Sequence, residues 1–131
     1  MTLTIVPVYG AILGLIFVVL GIRVAMMRRD HRISVGHGDK KELELRIRVH
    51  GNFAEYVPMA LILFTFVELQ TRPAYTLHLL CGALLLGRIL HIAGLGYSKL
   101  ILRFIGMNLT FGAIAAAGII ILWGVIFGIP A

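Results

Sequence analysis

From Phe104 to Phe127 the chain carries no charged side chain, and the same holds from Met1 to Ile22. A helix that crosses a bilayer needs ~20 consecutive apolar residues, because in hydrocarbon every backbone N–H and C=O must find its partner within the segment. Two further apolar stretches lie between these, one closing at Leu69 and one running from Ala74 to Gly94. With 60% of 131 residues hydrophobic and 14% charged, the bilayer rather than water is the solvent, and no length remains for a separate soluble domain. The chain is therefore expected to be one domain, residues 1–131. It should be an all-α membrane protein, a four-transmembrane-helix bundle with helices at about 3–27, 44–69, 74–94 and 104–127.

Charge is distributed between these segments rather than along a face. Lys and Arg number 12 against 6 Asp and Glu, and Arg28, Arg29, Arg32, Lys40, Lys41, Arg46 and Arg48 crowd the first connection. Such a loop is retained in the cytoplasm. The second connection holds only Arg72, while the third returns to Lys99 and Arg103, so both termini are expected outside. A basic loop of this kind is a topology signal, and nucleic acid is not an expected partner. The basic residues follow the first apolar run, the reverse of a cleavable signal peptide, so that run is expected to stay as a helix. The single cysteine, Cys81, excludes an intramolecular disulfide and a CxxC motif. The histidines show no ligand spacing, and no metal is expected. His50 lies on the face opposite Arg48 and reads as a packing residue.

Helix two opens with Arg48-Val-His-Gly-Asn52-Phe-Ala-Glu55-Tyr56, a polar head on an apolar segment. A charge in hydrocarbon costs at least ~2.5 kcal/mol, so such residues normally face a bundle interior or a wet cavity and mark function. Arg48, Asn52 and Glu55 are spaced i, i+4, i+7, which puts them on one helical face. Pro58 interrupts the hydrogen-bond ladder one turn beyond Glu55. At the same depth along the chain lie Arg23, Arg88, His91, Tyr97 and Arg103, several arginines against one acid. Guanidinium groups bind carboxylates with paired N–H donors and favour the ionised form of a nearby thiol. Glu55 would pair an arginine or hold the ammonium of a ligand. The plainer alternatives are an ion pair joining helices for Glu55 with Arg48 or Arg88, and interfacial anchoring for Tyr97 and Arg103.

The residues 46–58, Arg-Ile-Arg-Val-His-Gly-Asn-Phe-Ala-Glu-Tyr-Val-Pro, together with four short spans and a basic first loop, resemble the MAPEG family of membrane-associated proteins in eicosanoid and glutathione metabolism. The wording is closest to the bacterial branch, and Gly87-Arg88-Ile-Leu-His91 is similar to that branch's second motif. The resemblance implies a homotrimer with glutathione bound between neighbouring subunits at the cytosolic side. It implies glutathione-binding roles for Arg48, Asn52, Glu55, Tyr56, Arg88, His91 and Tyr97. Arg23 resembles the helix-one arginine that meets a glutathione carboxylate, and Arg103 the helix-four arginine that stabilises the thiolate. Position 51 is glycine where the family often carries arginine.

The expected function is that of a bacterial inner-membrane glutathione transferase, conjugating glutathione as co-substrate to hydrophobic electrophiles, with peroxidase activity toward lipid hydroperoxides as a related reaction. A non-catalytic scaffold that binds a lipid or an anion, and a small anion or proton transporter using Glu55 and His91, are the alternatives from other classes.

Overall fold

The computed structural model describes residues 3–128. Four helices follow in chain order: α1 (Val6–His31), α2 (Lys41–Leu69), α3 (Ala74–Gly96) and α4 (Leu100–Ile126). Each is long and apolar enough to cross a membrane, and the described residues contain no strand. The expected all-α membrane bundle is therefore what forms.

The helices extend about one turn further than the apolar runs do. α1 continues through Arg28, Arg29 and His31, where cations complement the partial negative charge of a helix C-terminus. It stops where Arg32 turns to φ +54° and the Ile33 N–H donates back to the Arg28 carbonyl at 2.9 Å. α2 starts at Lys41, with Glu42 and Glu44 in its first turn, the favourable sign for a helix N-terminus. The third connection shrinks to a turn around Ser98, at φ +54°, so Arg103 lies inside the first turn of α4 rather than before the helix.

α3 and α4 form the most extensive helix pair. Their backbones touch at Gly87 and Gly106. A Cβ added to Gly87 would stand 2.8 Å from the Gly106 carbonyl oxygen, and one added to Gly106 2.5 Å from that of Gly87. Lipid tails are as apolar as leucine, so helices in a bilayer gain little from burying apolar area. Close approach through small residues supplies dispersion contact instead. Leu13, Leu20, Phe53, Phe64, Leu77, Leu84 and Ala117 fill the interior, while Leu15, Leu79 and Val125 face outward where acyl chains would lie. His50 stacks on Phe17 with ring centroids 4.7 Å apart, the packing role its position suggested.

At the end of the bundle remote from the basic loops, α1 has no side-chain cap of its own. Glu68, near the end of α2, supplies one. Its carboxylate accepts from the backbone N–H groups of Thr4 and Ile5, both at 2.7 Å, and of Val6 at 2.8 Å. Nearby, the Gln70 amide donates to the Ile121 carbonyl at 3.3 Å, tying the α2 terminus to α4.

Candidate functional site

The helical spacing of Arg48, Asn52 and Glu55 is realised as one wall of a cleft of about 400 Å³, to which Ile47 and Gly51 also contribute. The facing wall is His91 and Leu95 from α3 and Arg103 from α4. Arg103 is held there by Gly94, since a Cβ on that glycine would sit 2.7 Å from the Arg103 backbone nitrogen. The glycine thus lets the start of α4 close onto α3 and turns the arginine toward α2. Gly51 leaves the mouth open: a Cβ at that position meets no described atom within 4 Å.

Arg88 lies behind the cleft rather than in its lining. It is 1% exposed and has every direction of its fork engaged inside the bundle. Nη1 donates to Asn52 Oδ1 at 2.7 Å. Nε and Nη2 donate to Thr110 Oγ1 at 3.1 and 2.7 Å, and Nη2 also approaches Met107 Sδ at 3.3 Å. Thr110 in turn donates its hydroxyl proton to the Gly106 carbonyl at 2.9 Å. A guanidinium has no acceptor, so it fixes the orientation of the Asn52 amide: the oxygen must point inward and the NH2 group is left to the cleft. Arg88 thus stands behind the cleft wall. It acts on the cleft through Asn52 and does not line it.

Three other expected site residues lie elsewhere in the protomer. Arg23 lines a separate hollow of about 140 Å³ with Glu42 and Arg46. That hollow is ordered by the Arg46–Glu42 ion pair at 2.7 Å and by Arg46 Nη1 donating to the Arg23 carbonyl at 3.4 Å. Leu95 borders both hollows and divides them. Tyr56, next to the cleft-lining Glu55, packs edge-on against Phe111 instead, with centroids 5.2 Å apart. Tyr97 caps α3 and is 75% exposed. The structure therefore gathers Arg48, Asn52, Glu55, His91 and Arg103 around one space, with Arg88 behind them, and leaves Arg23, Tyr56 and Tyr97 outside it.

The structural ion pair suggested for Glu55 is not formed. Among the described residues the ion pairs are Arg29–Asp30 and Arg46–Glu42. Glu55 and Arg48 are both exposed on the protomer, at the cleft rather than beneath it. The residues that sequence reasoning missed are Met107 and Thr110, which hold Arg88, and Leu95, the partition. Thr110 was open to suspicion as a hydroxyl in an uncharged span, but nothing in the sequence pairs it with Arg88.

A sequence profile of the MAPEG family matches residues 6–123. The chain belongs to the MAPEG family. Two relatives agree, both named inner membrane protein YecN, from Escherichia coli strain K12 and from the O6:H1 strain CFT073. Each is 32% identical over 116 residues, covering 88% of this chain and 88% of the relative. No solved structure gives a significant match. The MAPEG match spans all four helices except the last turn of α4, so the cleft lies wholly within the shared region. The chain is an integral membrane protein of a family tied to glutathione and eicosanoid metabolism.

Proposed function

We propose that the cleft binds glutathione and that the protein is a bacterial inner-membrane glutathione transferase acting on hydrophobic electrophiles. The observation that carries this is the composition of one open space: two guanidinium groups, an amide forced to present its donor end, and a carboxylate without an intramolecular partner. A zwitterionic tripeptide supplies the complements. Its carboxylates meet Arg48 and the Asn52 NH2 group, and its ammonium meets Glu55. Arg48 and Glu55 are seven residues apart, a rise of about 10 Å along α2, which is of the same order as the ~10 Å span of an extended tripeptide.

In this reading Arg103 lies near the sulfur and favours its thiolate, the form that reacts. The electrophile arrives laterally from the bilayer and the thiolate attacks its electron-poor carbon. A carbon–sulfur bond forms and the leaving group departs with its electron pair. A lipid hydroperoxide would instead be attacked at oxygen, giving an alcohol and an oxidised sulfur that a second glutathione reduces. The exposed Arg48 and Glu55 and the open cleft support a site completed by a neighbouring subunit, which in a homotrimer would also bring a second Arg23 or Tyr97 toward it. The basic loops support a cytoplasmic position for the cleft.

Purified protein in detergent, given glutathione, is expected to show the ultraviolet thiolate band and to conjugate a chlorinated nitrobenzene. Failure to bind glutathione would overturn the proposal. A non-catalytic binding scaffold is the second reading, favoured by one feature: Arg103 is the sole α4 side chain lining the cleft. Glutathione binding without a thiolate band would select it. Conjugation of less than the protein's molar amount of electrophile would do the same.

A further inference from the structure

At the C-terminal end of α1 lies a shallow hollow of about 430 Å³ that none of this chemistry uses, lined by Ala25, Arg28, Arg29, Arg32, Ile33 and Ser34. Its floor is built. Arg32 leaves the helix at φ +54°, the Arg32 and Ile33 N–H groups donate to the carbonyls of Arg29 and Arg28, and Arg28 Nη1 donates to the Gly36 carbonyl at 2.8 Å. The chain thus folds back over the helix end and satisfies two carbonyls of the last turn, which would otherwise repel an anion. Arg29 and Arg32 remain exposed on this surface. Asp30 touches Arg29 at 3.2 Å in a pair open to water, where screening makes such contacts weak.

The helix face leading to this hollow is apolar and unpartnered. Val18, Ile22, Ala25 and Arg29 follow one another at spacings of three and four residues, so they form a stripe down α1, and Arg32, just past the helix end, extends it by lining the same hollow as Ala25 and Arg29. All five are exposed, Val18 at 54% and Ile22 at 51%. The stripe is apolar for its first three members and cationic for its last two. The change of character falls where a helix leaves the hydrocarbon. A free phosphate would use only the upper part. A molecule with an anionic head and acyl tails matches the whole stripe.

We infer that this surface is a binding site for an anionic phospholipid, with the phosphate held by Arg29 and Arg32 and an acyl chain lying along Val18 and Ile22. Basic clusters just outside a transmembrane helix attract anionic headgroups, each added cation strengthening the hold several-fold. The site is independent of the glutathione reading, because it shares no residue with that cleft.

The test is native mass spectrometry of the full-length protein in detergent, titrated with phosphatidylglycerol or phosphatidylcholine of matched acyl chains. Phosphatidylglycerol should be retained in preference. Arg29→Gln combined with Arg32→Asn, an exchange that keeps a residue tolerant of positive φ at the helix end, should weaken it by roughly 30-fold. Lys40→Gln combined with Lys41→Gln removes the same charge from the same loop outside the hollow, and should weaken it less than about threefold. Equal losses in the two double variants would show diffuse attraction to the loop and overturn the site. Equal retention of the two lipids, or displacement of phosphatidylglycerol by millimolar inorganic phosphate, would overturn it as well.

Discussion

α2 carries a glutamate near each end of its membrane-embedded stretch, and the two have opposite fates. Glu68 spends its carboxylate on the protein, accepting the N–H groups of Thr4, Ile5 and Val6 and so joining the start of α1 to the end of α2. Glu55 lines an open cleft and forms no ion pair with the arginines around it. The same contrast holds for the amides. Gln70 is tied to the Ile121 backbone, whereas Asn52 is gripped by its oxygen alone and keeps its NH2 group for the cleft. One end of the bundle uses polar groups to close the structure. The other leaves them facing an open cleft.

The sharpest way to break that contrast is to remove the two glutamates in turn. Glu68→Ala leaves the N–H groups of Thr4, Ile5 and Val6 without their acceptor, and hydrogen bonds to a charged group contribute about 1.5–3 kcal/mol each in favourable cases, so a stability loss of about 3 kcal/mol is expected. Glu55→Ala removes an exposed group and should alter stability by no more than about 0.5 kcal/mol. Denaturant unfolding in detergent micelles, followed by circular dichroism, measures both. Comparable losses would mean that Glu55 is structural after all.

Arg88 sits between these extremes, since it is fully consumed by the protein yet governs a group in the cleft. Arg88→Lys keeps the charge but not the fork, and a single ammonium cannot reach Asn52 and Thr110 in the same geometry. A loss of about 2 kcal/mol in stability is expected, together with weaker glutathione binding because the Asn52 amide is free to turn. Calorimetry on the folded fraction separates the two effects. Lost stability with intact affinity would confine Arg88 to packing. Arg48→Ala and Glu55→Ala should each weaken glutathione binding by about tenfold, equivalent to about 1.4 kcal/mol, with Glu68→Ala leaving affinity untouched in whatever fraction folds.

The architecture was legible because hydrocarbon permits so few solutions: two uncharged runs and two nearly uncharged ones leave little choice but four spans. The helix ends were less so. Arg28 to His31 and Lys41 to Leu43 lie outside the apolar runs, and there helix continuation depends on end charges and on the turn at Arg32, which hydropathy does not record. Within the site, the α2 face followed from spacing alone, since i, i+4, i+7 has one geometric meaning on a helix. Which partner a long arginine chooses depends on the register between helices. Spacing along one helix therefore does not reveal that Arg88 sits behind Asn52, or that Leu95 stands between Arg23 and the cleft within one protomer. Register here is set by Gly87, Gly106 and Gly94, whose role as contact points shows only when the opposing backbone is in view.

Gly51 gives the smallest effect on the fold and a direct test of what the cleft is for. A side chain there meets open space in the protomer, and replacing glycine inside a helix removes a cost of about 0.8–1.0 kcal/mol relative to alanine in aqueous helices. Gly51→Leu should therefore leave stability unchanged or slightly raised. The added side chain would project between Arg48 and Glu55 at the mouth and exclude any ligand that bridges them, so glutathione affinity should fall at least as far as in Arg48→Ala. Gly51→Ala, with its single methyl group, should fall between the leucine variant and the parent. Unaltered affinity in the leucine variant would place the ligand deeper, against His91 and Arg103, and would separate the binding of anions there from any role of the α2 face.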